Sequence, residues 1–188
     1  MSLTAAPLPA LRILLIEDSA ADAELLGIYL QADAAGQPYT LQRWPDLAPE
    51  AGGDDNVDDS DGGEAFSVAL LDLNLPSSRG LDTLERFVAR FPEVPVIVLT
   101  GVGDAEMTRQ ALRAGAQDYF EKDRLETLPL MRLIRFAVER FDNQREMARL
   151  NRDLVSQRNQ LNAILESSAD GILALDAEGV VNFANQAA

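Results

Sequence analysis

Three carboxylates in this sequence stand directly behind apolar runs. Glu17 and Asp18 end "RILLIED", and Asp72 ends "FSVALLD". Thr100 ends a third such run, "VPVIVLT", and Lys122 follows "QDYFE". A buried carboxylate is costly unless something pairs with it. Three of them brought together repel and take up protons unless a cation sits among them. A hard divalent ion with oxygen ligands, such as Mg2+, suits that set. Lys122 adds a fixed positive charge and Thr100 a hydroxyl. Acids, ion, ammonium and hydroxyl together make a site for a phosphoryl group. An Asp carboxylate in such a site can act as a nucleophile and carry an aspartyl phosphate. The two cations would neutralise the equatorial oxygens, which is most of what phosphoryl transfer requires.

Composition narrows the alternatives. The chain has 188 residues, 47% of them hydrophobic and 25% charged, so most of it should fold around a core. Its formal net charge is −15, from 31 acids against 16 bases. That argues against nucleic-acid binding, which needs a basic face. There is no Cys and no His. Disulfides, thiolate ligands and imidazole bases are therefore excluded, and any metal site must use oxygen ligands, as Mg2+ and Ca2+ do. No segment approaches the roughly 20 apolar residues needed to span a bilayer. The start lacks a basic leader and is read as a loose tail, residues 1–11, so a cytoplasmic protein is expected.

These residues must be positioned by regular elements. Residues 12–18 read as a strand, and "SAADAELLGIYLQA" as a helix capped by Ser19. "YTLQRW" reads as a second strand. The stretch from Pro45 to Ala65 holds eight acids, no bases, four Gly and two Pro, the composition of a mobile acidic loop. Calcium binding there is the rival reading, but the acids lack the spacing of a calcium-binding loop. Strand "FSVALLD", helix "LDTLERFVARF", strand "VPVIVLTG", helix "DAEMTRQALRAGA" and short strand "QDYFEKD" follow. The uninterrupted apolar runs suit strands covered on both faces. Five strands alternating with helices predict a doubly wound parallel α/β sheet. In such sheets ligands bind beyond the carboxyl ends of the strands, where all five candidate side chains fall.

With "IED", "LLDLNLPSSRG", "VLTG" and "DYFEKD" in this order, residues 12–140 resemble the receiver domain of two-component response regulators. The resemblance implies a flavodoxin-like five-stranded sheet of order 2-1-3-4-5. It makes Asp72 the phospho-acceptor, and Glu17 and Asp18 the metal-binding pair, with the backbone carbonyl of Asn74 completing the Mg2+ shell. Thr100 would bond the phosphoryl group, Lys122 would pair with it, and Tyr119 would be the aromatic switch. Pro76 and Gly80 match the loop after the acceptor. The implied donor is a sensor histidine kinase or phosphotransfer protein. The domain would be regulatory, not an enzyme beyond self-phosphorylation and autodephosphorylation. Two departures stand out. Asp123 follows the lysine where the family often has a cis proline, and a cis non-proline bond costs about 3 kcal/mol. The second helix also looks eroded, because the acidic stretch occupies its place.

The rest of the chain carries a different pattern. From Leu125 to Ser167 there is no Gly, and the single proline is Pro129. "LMRLIRFAVERF" should pack on the sheet as the last helix. Beyond it Met147, Leu150, Leu154, Gln157, Leu161 and Ile164 step by three and four, a heptad seam with one polar slot. Residues 141–168 are therefore expected to form a parallel two-stranded coiled coil joining two copies, against a single helix folded back on its own domain. Residues 169–188 read as strand, turn at "DAEG", strand and a helix start at Asn185. They resemble the opening of a PAS sensor domain, which is longer than this, so the sequence is expected to stop inside one. Two other functions fit the same residues. One is an unphosphorylated dimerisation scaffold. The other is an Asp-nucleophile phosphohydrolase of the haloacid dehalogenase kind, which usually needs a second acid where Asn74 stands.

Overall fold

The computed structural model describes residues 8–47, 66–101, 105–124 and 129–188. The chain divides into two compact units, Met1–Phe141 and Asp142–Ala188. In the first, β1 (Leu11–Ile16), α1 (Ala20–Asp33), β2 (Tyr39–Trp44), β3 (Val68–Asp72), α2 (Leu81–Arg90), β4 (Val96–Thr100), α3 (Ala105–Arg113) and β5 (Asp118–Glu121) follow in order. A 3-10 turn, Lys122–Arg124, succeeds β5, and α4 (Leu130–Glu166) begins in this unit and runs on into the second. The expected acidic loop falls mostly on residues 48–65, outside the described residues.

The five strands form one parallel sheet of order β2-β1-β3-β4-β5. Side chains alternate across a strand, and the core divides accordingly. Ile13, Leu15, Leu70, Ile97, Leu99 and Phe120 pack on one face, against α1 and the first part of α4 through Leu26, Leu30, Met131 and Ile134. Leu14, Ile16, Leu71, Val96 and Val98 pack on the other, with Leu84 and Phe87 of α2 and Ala111 of α3. Both faces of β1, β3 and β4 are thus covered, which is why their sequences are continuous rather than alternating. β2 is an edge strand and keeps polar residues such as Gln42 and Arg43 exposed.

The helix starts are set by local chemistry. Ser19 caps α1, its hydroxyl accepting from the Asp22 amide at 3.2 Å. Gly80 precedes α2 at φ 62°, ψ −136°, a conformation open essentially to glycine alone. Its N–H donates to the Leu73 carbonyl at 2.7 Å and closes the loop after Asp72. Buried Thr83 adds a hydroxyl contact to the same carbonyl at 3.1 Å and one to Ser78 at 2.8 Å.

In the second unit, α4 is exposed from residue 142 to residue 164, Met147, Leu150, Leu154, Gln157, Leu161 and Ile164 included. An antiparallel hairpin follows, β6 (Leu173–Leu175) and β7 (Val181–Ala184), turning through Asp176 to Gly179. At Asn185, where a helix start is expected, the chain makes a single turn, the Ala188 amide donating to the Asn185 carbonyl at 3.1 Å. Asn185 is buried and its side chain bonds backbone groups earlier in the chain. Its Oδ1 accepts from the Ile172 amide at 2.8 Å, and its Nδ2 donates to the carbonyls of Leu165 and Asp170 at 3.0 and 2.9 Å.

Candidate functional site

Glu17, Asp18 and Asp72 come together at the carboxyl edge of the sheet because β1 and β3 are neighbours and end at the same level. One carboxylate oxygen from each lies within 4.8 Å of the others. Glu17 is fully buried, Asp72 nearly so, and Asp18 is exposed. Asp72 Oδ1 accepts from the Asn74 amide at 2.9 Å, which fixes the carboxylate against its own loop. Glu17 Oε1 accepts from the Ser19 amide at 3.2 Å.

Lys122 reaches this cluster from the turn after β5. Its Nζ donates to Asp72 Oδ2 at 2.5 Å and to Glu17 Oε2 at 2.6 Å. Burial pushes the Glu17 carboxyl above its usual range, and the Lys122 hydrogen bond offsets part of that rise. Burial alone would lower the Lys122 ammonium. The hydrogen bonds and charges of Asp72 and Glu17 outweigh it and hold the ammonium above its usual 10.5. The turn that carries Lys122 is built without a cis bond: among the described residues no peptide bond is cis. Asp123 therefore avoids the cost that its place in the sequence implied.

Thr100 ends β4 one residue beyond Leu99, the register partner of Asp72. It is half-buried, and its hydroxyl makes a long 3.4 Å contact with the Phe120 carbonyl. Tyr119 is half-buried in β5 and lines a groove of about 390 Å3 with Arg132, Leu133 and Phe136 of α4, a lining that includes none of Glu17, Asp18 and Asp72. Asn74 is exposed and bridged to Arg79. Of the residues expected at the site, the structure thus joins Glu17, Asp18, Asp72 and Lys122 directly. It sets Thr100 at the end of the adjoining strand and leaves Tyr119 pointing to a groove.

Two residues at this edge were not foreseen. Arg43 of β2 donates from Nε to the Glu17 carbonyl at 3.0 Å and from Nη2 to the Asp18 carbonyl at 2.8 Å, clamping the backbone that carries the acidic pair. Within "YTLQRW" it reads as one more polar residue of an edge strand. Asp22 lies 3.2 Å from Lys122 Nζ through its Oδ2. Three residues after Ser19 it has the sequence signature of a helix-capping acid, which concealed its contact with a lysine 100 residues away.

The donor set fits a hard divalent ion. It is all oxygen, anionic, and close enough for ligands opposite one another at about 4 Å across a Mg2+ ion.

A doubly wound sheet of order 2-1-3-4-5 with this acidic, lysine-bridged edge defines a flavodoxin-like protein whose site lies at the switch point of the sheet. The response regulator receiver domain matches residues 13–130, and the chain belongs to that family. The chain is 30% identical over 113 residues to the response regulator protein PilR of Pseudomonas aeruginosa, covering 56% of this chain and 25% of that one. It is 30% identical over 114 residues to the transcriptional regulatory protein FixJ of Bradyrhizobium diazoefficiens, covering 58% and 48%. It therefore spans between a quarter and a half of these relatives. Among solved structures, a receiver domain protein from Clostridium thermocellum superposes with a TM-score of 0.51 at 21% identity, covering 73% of this chain and 98% of that one. NtrX from Brucella abortus does so with a TM-score of 0.56 at 23% identity, covering 87% and 36%. These two likenesses show the fold. Domains of this family are regulatory, bind Mg2+ in an acidic pocket and are phosphorylated by histidine kinases.

Proposed function

We propose that this chain is a phospho-accepting receiver in which Asp72 takes a phosphoryl group from the phosphohistidine of a sensor kinase or phosphotransfer protein. The observation that carries this is the Lys122 ammonium held between Asp72 and Glu17 beside Asp18. A carboxylate oxygen of Asp72 attacks phosphorus, the P–N bond to the donor imidazole breaks, and its electron pair leaves with the imidazole. The Asn74 amide orients the Asp72 carboxylate before attack. Lys122 neutralises the incoming equatorial oxygens, and fully buried Glu17 keeps that ammonium in place. Glu17, Asp18, Asp72 and the Asn74 carbonyl would hold Mg2+, which supplies the remaining charge neutralisation when bound. The Thr100 hydroxyl, held by a long contact, is free to turn to the phosphoryl group. Tyr119 would follow it out of the groove beside α4 and turn inward.

The output is carried by the helix. α4 packs on the sheet through Met131, Ile134 and Ala137 and continues without a break to Glu166. A change in its tilt passes along the same rod to a PAS module beginning near residue 169. Its exposed seam from Met147 to Ile164 pairs with a second copy as a parallel coiled coil, in a cytoplasmic homodimer. A phosphohydrolase would need a second acid where Asn74 stands, and a scaffold would have no use for the Lys122 bridge.

Incubation with acetyl phosphate and Mg2+, followed by intact-mass measurement, tests this reading. A gain of one phosphoryl group that EDTA and Asp72→Asn both abolish supports it. Steady turnover without accumulation would indicate a hydrolase, and no mass gain a scaffold.

A further inference from the structure

A lysine ammonium has three N–H donors. Those of Lys122 go to three carboxylates: Asp72 at 2.5 Å, Glu17 at 2.6 Å and Asp22 at 3.2 Å. Asp72 and Glu17 belong to the site already described. Asp22 does not, and its capping position does not explain it. In a capping box the acid three residues after the N-cap takes the N-cap amide. Here the Ser19 amide goes to Glu17 Oε1, and the Asp22 carboxylate turns to Lys122 instead.

We propose that Asp22 is a positioning residue that competes with the phosphoryl group for Lys122 and so sets how readily Asp72 is phosphorylated. This rests on Asp72 being the acceptor. Once Asp72 carries a phosphoryl group, the ammonium must follow the new oxygens outward, and it has no fourth N–H to offer. Fully buried Glu17 cannot be given up, because its charge would be left unpaired away from water. The Asp22 side chain is 46% exposed and water can take over its hydrogen bond. Its contact is also the longest of the three. Asp22 is therefore the partner released. Until then its charge restrains Lys122 and opposes an anionic donor at the mouth of the site.

Asp22→Asn keeps the shape of the side chain and removes its charge. With acetyl phosphate and Mg2+, in which attack by Asp72 expels acetate, the second-order rate of phosphorylation should rise roughly two- to five-fold, the range of a partly exposed charge pair. Asp22→Ala should move the rate in the same direction. The ratio to wild type should shrink toward one at about 1 M salt, where exposed charges are screened within about 3 Å; a purely structural effect would persist. An unchanged or lower rate in both variants, beside a wild type that takes the phosphoryl group, overturns the role of Asp22 alone. A wild type that takes none overturns the reading of Asp72, and this inference with it.

Discussion

Lys122 is the residue on which the site's electrostatics turn. Its ammonium is held above its ordinary 10.5, so the folded chain keeps that proton longer than the unfolded one does. The resulting stability is fully present below about pH 10.5 and is lost as pH rises beyond it. Alkaline melts should therefore fall more steeply for the wild type than for Lys122→Met. At neutral pH the variant strands the buried Glu17 charge, and denaturant unfolding should show a loss of about 3 kcal/mol. The Glu17 carboxyl is already raised above 4.5 by burial, and without Lys122 it rises further. The folded state then binds its proton first, so the variant should recover stability as pH falls toward the carboxylate range. Much of this cluster was legible in the residues themselves, because a carboxylate at the end of an apolar strand demands a partner. Asp22 and Arg43 were not. One imitates a helix cap, the other an edge-strand polar residue, and their contacts span 100 and about 25 positions of chain.

The elements explain why four of the side chains meet. β1, β3 and β4 are buried on both faces, so each keeps its apolar run until the sheet edge, where the first polar side chain is also the first that can reach a ligand. The loop after β3 adds precision: Gly80 and Thr83 both bond the Leu73 carbonyl, one residue from Asp72. Thr83→Val leaves the buried Ser78 hydroxyl without its partner and should cost about 1–2 kcal/mol by denaturant unfolding, with slower phosphorylation of Asp72. Strand positions could be read from sequence because parallel strands buried on both faces are continuous. The order of the sheet could not be read that way, and came from resemblance. The side-chain partners of Asn185 could not be read from sequence either, since they lie up to 20 positions back.

Across the chain, one helix, α4, begins in the sheet unit and runs on to the hairpin. Leu150, Leu154, Leu161 and Ile164 remain exposed on it, which a single copy leaves wet. Sedimentation equilibrium should show a dimer, and Leu154→Asp should weaken the association at least tenfold while leaving the sheet's melting transition in place, since 154 lies outside the first unit. At the far end, Asn185 ties the Ile172 amide to the carbonyls of Leu165 and Asp170. Asn185→Ala should speed amide exchange at Ile172 without altering that of β3, as expected where one side chain satisfies several backbone groups. The loss should stay local to residues 165–188.

The central claim is that Asp72, and no other carboxylate of this acidic chain, carries the phosphoryl group. Borohydride reduction after treatment with acetyl phosphate and Mg2+ converts an aspartyl phosphate to homoserine, which peptide mass spectrometry can locate. Homoserine at position 72 is the predicted result. Homoserine at Asp18 or Asp22 with position 72 unmodified would contradict it.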